Sequence, residues 1–262
     1  MAMASGVASA SAEVKVNVFL KANDHSSFRS EYSLSIYGLT IGRSNFESSF
    51  RGDRFRVQGS LSSAGLAKVF DSTKGTTSVS GRFDKDGATR PDAFMMDYKS
   101  GRKGQRIDVK FSGDRVTATE VSPKPKKRAS TWIAVKPDHL RAVADPISAT
   151  LVRASRDADV CNRTIRLYDG EMRADLRLSR AGSGPVRVGG YSGEAVTCRA
   201  RFVPISGYRK DHKSTAFLRD KSAIEIAFAR LGETGVYAPV KASIGTEIGT
   251  LTIAMERLEI TE

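Results

Sequence analysis

Apolar residues alternate with polar ones in many short runs along the chain, which is the pattern of half-buried β-strands. In "EVKVNVFLK" the alternate positions Val14, Val16, Val18 and Leu20 are apolar, and "EYSLSIY" places Tyr32, Leu34 and Ile36 on one face in the same way. Further strand-like runs are "RFRVQGSLS", "TTSVSGRF", "GEAVTCRARFVPI", "SAIEIAFARL", "VYAPVKASIG" and "GTLTIAMERLEI". The alternation therefore predicts a mainly β protein.

The run "CNRTIRLYDGEMRADLRL", from Cys161 to Leu178, is dense in charged residues and could mark either an active site or a β-hairpin. Asp169-Gly170 favours a two-residue turn, which places Tyr168 opposite Glu171. The apolar face then carries the pairs Leu167/Met172, Ile165/Ala174, Arg163/Leu176 and Cys161/Leu178. Because one register sorts the apolar residues to one side, the hairpin interpretation is favoured. Arg163 is the exception, because this register places its charged side chain on the apolar face.

A second hairpin is predicted in "IDVKFSGDRVTATEV". A Gly113-Asp114 turn pairs Phe111 with Val116 and Val109 with Ala118, and this register again sorts by hydrophobicity. Short strands joined by glycine-rich turns indicate an antiparallel, strongly curved sheet that forms a spiral or half-open barrel.

A basic, proline-containing stretch, "SPKPKKRAST" at 122–131, divides the predicted β-rich domain of residues 13–262. It has the composition of an exposed linker, although its cations could also contact an anion. The first half covers 13–121, and the second half, 132–262, begins with a helical crossover. Helical spacing is found between Pro137 and Ala154, so we expect the one substantial helix there.

Basic residues outnumber acidic ones by 42 to 29, a net charge of +13, and the isoelectric point is about 9.9. Such a balance favours anionic partners, namely nucleic acid, lipid headgroups or acidic envelope polymers, although diffuse charge kept for solubility gives the same numbers. No nucleic-acid-binding module is recognisable, which makes a nucleic acid partner unlikely.

The first residues, 1–12, are rich in small side chains and end in "ASA" at Ala10–Ala12. This is the composition of the end of a signal peptide, although its charged and apolar regions are missing and a disordered tail looks the same. No apolar run reaches transmembrane length. We expect an exported, periplasmic protein whose signal peptide has been removed.

Catalytic and metal-binding patterns are scarce in the sequence. His25, His139 and His212 have no nucleophile motif beside them, and no nucleophile elbow, metal-ligand pair or phosphate loop is present. We therefore expect no catalytic residues, no metal and no cofactor. The curved sheet would enclose an apolar groove, in which Arg163 could bind a ligand carboxylate or phosphate, or form a structural ion pair.

The chain has two cysteines, Cys161 and Cys198. In a cytosolic protein they would be buried thiols, whereas in an exported one they would form a disulfide. Cys161 lies on the apolar face of the predicted hairpin, and Cys198 shares a face with Val196 in the next strand-like run. Two inward cysteines on neighbouring strands can approach closely enough to be bridged, so we expect the disulfide.

Four segments in order, "YSLSIYGLTIGRS", "ADPISATLV", "CNRTIRLYDGEMRADLRL" and "TCRARFVPISGYR", resemble the secreted alphaproteobacterial family known as domain of unknown function 3108. The resemblance extends from about Glu31 to Tyr208 and beyond. The residues that carry it are Tyr37, Gly38, Gly42, Asp145, Pro146, Cys161, Asn162, Arg163, Asp169, Gly170, Arg173 and Cys198. It implies export, a β-rich fold and no established enzymatic activity, while Tyr168 stands where phenylalanine is expected.

Together these features predict a periplasmic, non-enzymatic β protein that supports the integrity of the cell envelope. It would do so by binding a lipid, an anionic envelope polymer or a partner protein. The alternative is a hydrolase or transferase that acts on envelope material from a site in the concavity of the sheet.

Overall fold

The computed structural model describes residues 25–65, 72–125 and 128–261. Over these ranges the chain forms sixteen strands, one α-helix and three 3-10 turns. The strands are β1 His25–Ile36, β2 Leu39–Arg51, β3 Arg54–Ser63, β4 Thr73–Phe83, β5 Thr89–Ser100, β6 Lys103–Ser112, β7 Arg115–Ser122, β8 Trp132–Ile133, β9 Val152–Arg153, β10 Thr164–Tyr168, β11 Arg173–Val188, β12 Tyr191–Ser206, β13 Tyr208–Arg209, β14 Ile224–Arg230, β15 Val236–Thr246 and β16 Gly249–Thr261. The helix α1 is Lys213–Asp220, and the 3-10 turns are Pro137–Leu140, Ser148–Thr150 and Asp157–Asp159.

One antiparallel sheet contains fourteen of these strands. Its order is β10-β11-β12-β14-β15-β16-β1-β2-β3-β4-β5-β6-β7, with β9 beside β15, while β8 and β13 form a separate pair. The first strand therefore pairs with the last, so that the two halves of the chain meet at the centre of the sheet. This arrangement confirms the predicted antiparallel β fold.

The sheet curves around one apolar cluster. Phe28, Phe55 and Phe94 from the first half and Val236 and Val240 from the second half belong to this cluster, and each is at most 4% exposed. Register shifts, which increase local bending and twist, interrupt six of the strand pairs. A second cluster packs β11, β12 and β14 against α1 and contains both cysteines.

The two edges of the sheet, β7 and β10, are connected through the segment 141–144. The amide of Ala142 donates to the carbonyl of Asp114 beside β7, and Arg141 forms a bridge with Arg115. On the other side, the amide of Ala144 donates to the carbonyl of Arg166 in β10, and Ala144 accepts from the amide of Tyr168. This strap, residues 141–144, satisfies backbone groups that would otherwise remain unpaired at the edges.

The strap replaces the helix that we predicted between Pro137 and Ala154, and that prediction is wrong. The segment contains only the 3-10 turns Pro137–Leu140 and Ser148–Thr150, because its central backbone bonds to the sheet edges instead of to itself. Ala142 has a left-handed φ of 52°, which also interrupts helical geometry. The α-helix of the described residues is α1, which lies later in the chain.

The hairpin of β10 and β11 is present, but its predicted register is wrong by two residues. Tyr168 lies opposite Arg173, not Glu171, and residues 169–172 form the connection. The Asp169 carboxylate explains the longer turn, since its Oδ1 accepts from the amides of Glu171 and Met172 at 2.8 and 2.7 Å. Tyr168 and Arg173 are buried, although the predicted hairpin placed both on the wet face.

The hairpin of β6 and β7 keeps the predicted pair of Phe111 and Val116. A register shift after Lys110 then pairs Val109 with Thr119, so the predicted partner Ala118 is wrong by one residue. The predicted strand at Val14–Leu20 and the small-residue segment Ala10–Ala12 lie outside the described residues. Of the basic stretch, Arg128 forms an ion pair with Glu171 at 2.5 Å and stacks on the Trp132 ring at 4.0 Å.

Candidate functional site

Asp145 and Pro146, which carry part of the family resemblance, follow the strap directly. Asp145 is fully buried, and its Oδ1 accepts from the amides of Ile147 and Ser148, each at 2.9 Å. The Ser148 hydroxyl donates to the other carboxyl oxygen. Burial raises the pKa of Asp145 to about 6, against the opposing effect of these hydrogen bonds. Because all of these contacts are made to residues of the same turn, Asp145 stabilises the turn after the strap.

Among the described residues Arg173 is the largest fully buried side chain, and it lies beneath the same region. Its Nε donates to the carbonyl of His139 at 3.0 Å, Nη1 donates to the carbonyl of Ala174, and the guanidinium forms an ion pair with Asp175 at 2.6 Å. Desolvation lowers the pKa of Arg173, and Asp175 opposes that shift. Arg173 therefore links β11 to the segment that leads into the strap.

A serine and a histidine approach each other beside Arg173. The Nδ1 atom of His139 is 3.2 Å from the amide of Lys136, so it acts as an acceptor, and the Ser206 hydroxyl at 2.8 Å donates to it. Ser206 is fully buried. A nucleophile needs access to a substrate, and these contacts give the pair a structural role. The concavity, where the alternative enzymatic site was expected, is occupied by the apolar cluster.

Arg163 lies just before β10, beside the 3-10 turn Asp157–Asp159. Its Nη2 donates to the carbonyl of Asp159 at 3.1 Å, while its Nε is buried and has no hydrogen-bond partner among the described residues. Desolvation lowers the pKa of Arg163, and the charges of Asp159 and Asp84 oppose that shift. Arg163 therefore contacts a turn of the protein itself, and its role toward a ligand stays a prediction.

The predicted disulfide between Cys161 and Cys198 is present, with the two Cα atoms 5.3 Å apart. Both cysteines are fully buried in the second apolar cluster. Cys198 lies within β12, and Cys161 precedes β10. The bridge therefore joins the start of the edge hairpin to the interior of the sheet.

An unusual concentration of arginines occupies the outer face of β2, β3, β4 and β5. Arg51 lies directly opposite Arg54, Arg54 opposite Arg82, and Arg82 opposite Arg90. We call these four residues the arginine row. They alternate with Phe50 and Phe55, which are buried in the core, so the guanidinium groups point to the other side of the sheet.

A shallow depression of about 260 Å³ lies beside the arginine row. Its polar lining consists of Ser27, Arg29, Glu47, Ser48, Ser49, Arg56, Gln58 and Thr261, and Phe28 contributes as well. The residues come from β16, β1, β2 and β3, where Ser27 faces Ser49 and Ser49 faces Arg56 in register. Hydroxyl groups and guanidinium groups thus converge at one point of the outer surface, which we call the arginine-lined depression.

The carboxylates of this region neutralise only part of its positive charge. Glu47 pairs with Arg29 at 3.0 Å, Asp84 pairs with Arg90 at 2.8 Å, and Asp92 is 3.9 Å from Arg54. Within the described ranges, no carboxylate lies within ion-pair distance of Arg51, Arg56 or Arg82. Like charges directly opposite on adjacent strands are destabilising. The region is therefore suited chemically to an anion with several oxygens, which guanidinium groups bind in a bidentate manner.

The arginine-lined depression was missed from sequence, although a pattern for it exists. The segment "FRGDRFR", Phe50–Arg56, is a Gly-Asp turn flanked symmetrically by arginine and phenylalanine. Read as a hairpin, it predicts Arg51 opposite Arg54 with both phenylalanines inward. The contributions of Arg82, Arg90 and Arg29 depend on strand neighbours that are distant in sequence and could not be paired in advance.

Two further observations bear on function. In the described portion of the chain, no three histidine, cysteine, aspartate or glutamate side chains cluster as metal ligands would. Among the helices of these same residues, none has the length and apolarity needed to cross a membrane.

The families that this chain resembles are described only as having unknown function. No curated protein matches it. A solved structure from Brucella abortus, described as a beta-barrel-like protein of domain of unknown function DUF1849, is similar with a TM-score of 0.51 and 11% sequence identity. That similarity covers 90% of this chain and 98% of the other, and at such identity it shows the fold alone. The family DUF3108, described as a protein of unknown function, matches residues 31–256. The chain therefore belongs to the DUF3108 family.

Proposed function

We propose that this protein is a periplasmic, non-enzymatic β protein that supports the cell envelope by binding an anionic envelope component at the arginine-lined depression. The observation that carries the proposal is the series of three directly opposed arginine pairs beside a depression lined by Arg29 and Arg56. A phosphate-bearing or carboxylate-bearing polymer has the oxygen spacing that several guanidinium groups recognise.

The opposed charges of the arginine row support this proposal indirectly. Cations such as Arg54 and Arg82, directly opposite each other, repel, and the Asp92 carboxylate approaches Arg54 only to 3.9 Å. An anion bound between them would relieve the repulsion. Net positive charge would also accelerate the encounter with an anionic polymer.

Export to the periplasm agrees with the disulfide of Cys161 and Cys198, since such bonds persist in oxidising compartments. The bridge is fully buried and joins two parts of the sheet. Structural disulfides are rare in the reducing cytosol.

The test compares binding of inorganic polyphosphate and of polygalacturonate by isothermal titration calorimetry at two salt concentrations. Arg54→Gln with Arg82→Gln and, separately, Arg56→Gln should each weaken binding at least about tenfold, because charge-assisted hydrogen bonds contribute about 1.5–3 kcal/mol each. Circular dichroism checks that the variants fold.

The chain offers a matched control for the arginine pair. Arg177 and Arg201 also lie directly opposite each other, on β11 and β12, and both are exposed. If binding depends only on net charge, Arg177→Gln with Arg201→Gln will lose as much affinity as the pair in the arginine row. That result, or failure of the parent protein to bind either polymer, would overturn the proposal.

A further inference from the structure

Three large apolar side chains are exposed together at the end of the sheet opposite the arginine row. Tyr37 is 79% exposed, Leu39 is 62% exposed and Ile248 is 68% exposed. Tyr37 lies in the turn between β1 and β2, Leu39 is the first residue of β2, and Ile248 lies in the turn between β15 and β16. We call these three residues the apolar tip.

Strand pairing brings the two turns side by side. β1 pairs with β16, so Ile36 lies opposite both Leu39 and Leu251. The Tyr37 ring lies so close to Gly249 that a Cβ added there would be 2.6 Å from Cζ of the ring. Tyr37 itself has a left-handed φ of 52°, a conformation that a bulky residue rarely adopts. The backbone therefore holds an aromatic ring outward on the surface of the neighbouring turn.

A row of cations crosses the sheet close to the apolar tip. In register across seven strands lie Lys99, Lys74, Ser62, Arg43, Ser33, Ala254 and Lys241. We call its four cations, Lys99, Lys74, Arg43 and Lys241, the cationic row.

The charge of the cationic row is largely uncompensated. Lys74 and Lys99 are directly opposite each other, which is destabilising in the absence of an anion. No carboxylate in the part of the chain that the structure describes forms an ion pair with these four cations. Beside the row, Glu256 accepts a hydrogen bond from Ser33 at 2.5 Å. Glu247, beside Ile248, accepts one from Ser214 of α1.

We propose that the apolar tip inserts into the interface of an anionic phospholipid bilayer while the cationic row lies on the headgroups. From Tyr37 to Ser33 the strand advances about 13 Å, which is a little more than the depth at which interfacial apolar side chains are buried. Tyrosine is a preferred residue at this depth, and cations near an anionic leaflet are attracted to it. The inference goes beyond the proposed function, because the apolar tip lies at the start of β2, at Leu39, whereas the arginine row lies at its end, at Arg51.

A second copy of the chain fits this surface poorly. A stable interface removes about 800 Å² per partner from water, and three side chains at the ends of two turns supply much less. Two copies docked tip to tip would also bring their cationic rows toward each other. A bilayer with negative headgroups would both bury the apolar tip and neutralise the cationic row.

Vesicle flotation tests the inference with phosphatidylglycerol-containing vesicles and with vesicles of phosphatidylcholine alone. The parent protein should float with the anionic vesicles and much less with the neutral ones. Tyr37→Asn with Leu39→Thr and Ile248→Ser should reduce binding at least about tenfold, since one buried side chain of this size alone contributes that much. Asparagine is chosen at position 37 because it tolerates the left-handed backbone. Lys74→Gln with Lys99→Gln should reduce binding about thirtyfold in low salt.

The matched control is Ile260→Ser, since Ile260 is 70% exposed at the other end of the sheet. It should float like the parent protein. Equal flotation of the tip variant and the parent would overturn the inference, as would equal binding to neutral vesicles. Dimerisation of the parent that the tip variant loses, seen by analytical ultracentrifugation, would assign the tip to a second copy instead. Polyphosphate binding by the tip variant should stay at the parental level, so failure of this inference is distinguishable from failure of the proposed function.

Discussion

The hydroxyl of Tyr168, in the first strand of the sheet order, lies 3.2 Å from Oγ1 of Thr119 in the last. The same hydroxyl donates to the carbonyl of Gly170 at 2.9 Å. A Cβ on Gly170 would lie 2.4 Å from Cγ2 of Ile107 in β6, so the connection after β10 packs tightly on the opposite edge region. The two edges are therefore joined by side chains as well as by the strap, although they do not pair as strands.

We expect Tyr168→Phe to lower the free energy of unfolding by about 1–2 kcal/mol, because the carbonyl of Gly170 would lose a buried donor. Urea denaturation followed by circular dichroism measures this change. Tyr98→Phe is the matched control, since its hydroxyl bonds to the half-buried Gln105, where water can replace it. Equal stability of Tyr168→Phe and the parent would show that the hydroxyl does not contribute to closing the sheet.

The buried carboxyl group of Asp145 makes stability depend on pH. Its pKa is about 6 in the folded protein, against an ordinary value of 3.8. Between these pH values the folded protein therefore binds more protons than the unfolded chain. Stability should consequently fall as pH rises from about 4 to about 6, by at most about 3 kcal/mol from this group. Asp145→Asn keeps the acceptor for Ile147 and Ser148, and its amide can donate to the Ser148 hydroxyl.

Asp145→Asn should therefore flatten the dependence of the free energy of unfolding on pH between about 4 and 6. Urea denaturation at a series of pH values measures it. An unchanged slope in the variant would mean that another group causes the dependence. Asp138→Asn is the control, because it removes an exposed carboxyl group of the same segment.

Loss of the disulfide should destabilise the protein strongly. The bridge closes a separation of 37 residues, for which the chain-entropy model gives about 3–4 kcal/mol. Cys161→Ser with Cys198→Ser should lower the melting temperature under oxidising conditions, and a reductant should reproduce the loss in the parent. Two thiols that react freely with an alkylating agent in unreduced, exported protein would contradict the bridge and weaken the periplasmic assignment.

Sequence predicted the class of the fold well, because alternation with period two depends on local composition. It predicted registers less well, because the Asp169 carboxylate selected a longer turn and the shift after Lys110 changed a pairing. In the hairpin of β10 and β11 the predicted apolar residues still share one face, since a register error of two residues preserves the face of every side chain.

The helical regions were assigned to the wrong segment for a physical reason. The spacing of Leu140 and Val143 resembles a helix, yet the backbone there bonds to two sheet edges that are distant in sequence. In α1, by contrast, only Thr215 is buried, so its sequence has no strong apolar stripe. The disulfide was predictable because it needed only two inward cysteines on neighbouring strands. The arginine row needed the order of four strands.

Arg163 and Arg173 should respond differently to replacement by methionine, because their surroundings differ. The side chain of Arg163 donates one hydrogen bond, to the Asp159 carbonyl, and its buried Nε has no partner in the described ranges. Replacement by methionine would remove that hydrogen bond, but it would also remove an unsatisfied buried polar group. These two effects on the free energy of unfolding are similar in size and opposite in sign. Arg163→Met should therefore change the free energy of unfolding by less than about 1 kcal/mol.

Arg173→Met should cost about 3 kcal/mol or more, since it leaves Asp175 and the carbonyl of His139 without their buried partner. Urea denaturation of the two variants side by side measures both effects under identical conditions. If Arg163→Met proves as damaging as Arg173→Met, the charge of Arg163 must be needed by the fold, through Asp159 or Asp84, whose charges act on it. If Arg163→Met folds normally, the affinity of this variant for polyphosphate decides whether Arg163 also binds a ligand, because only a ligand-binding role makes that affinity fall.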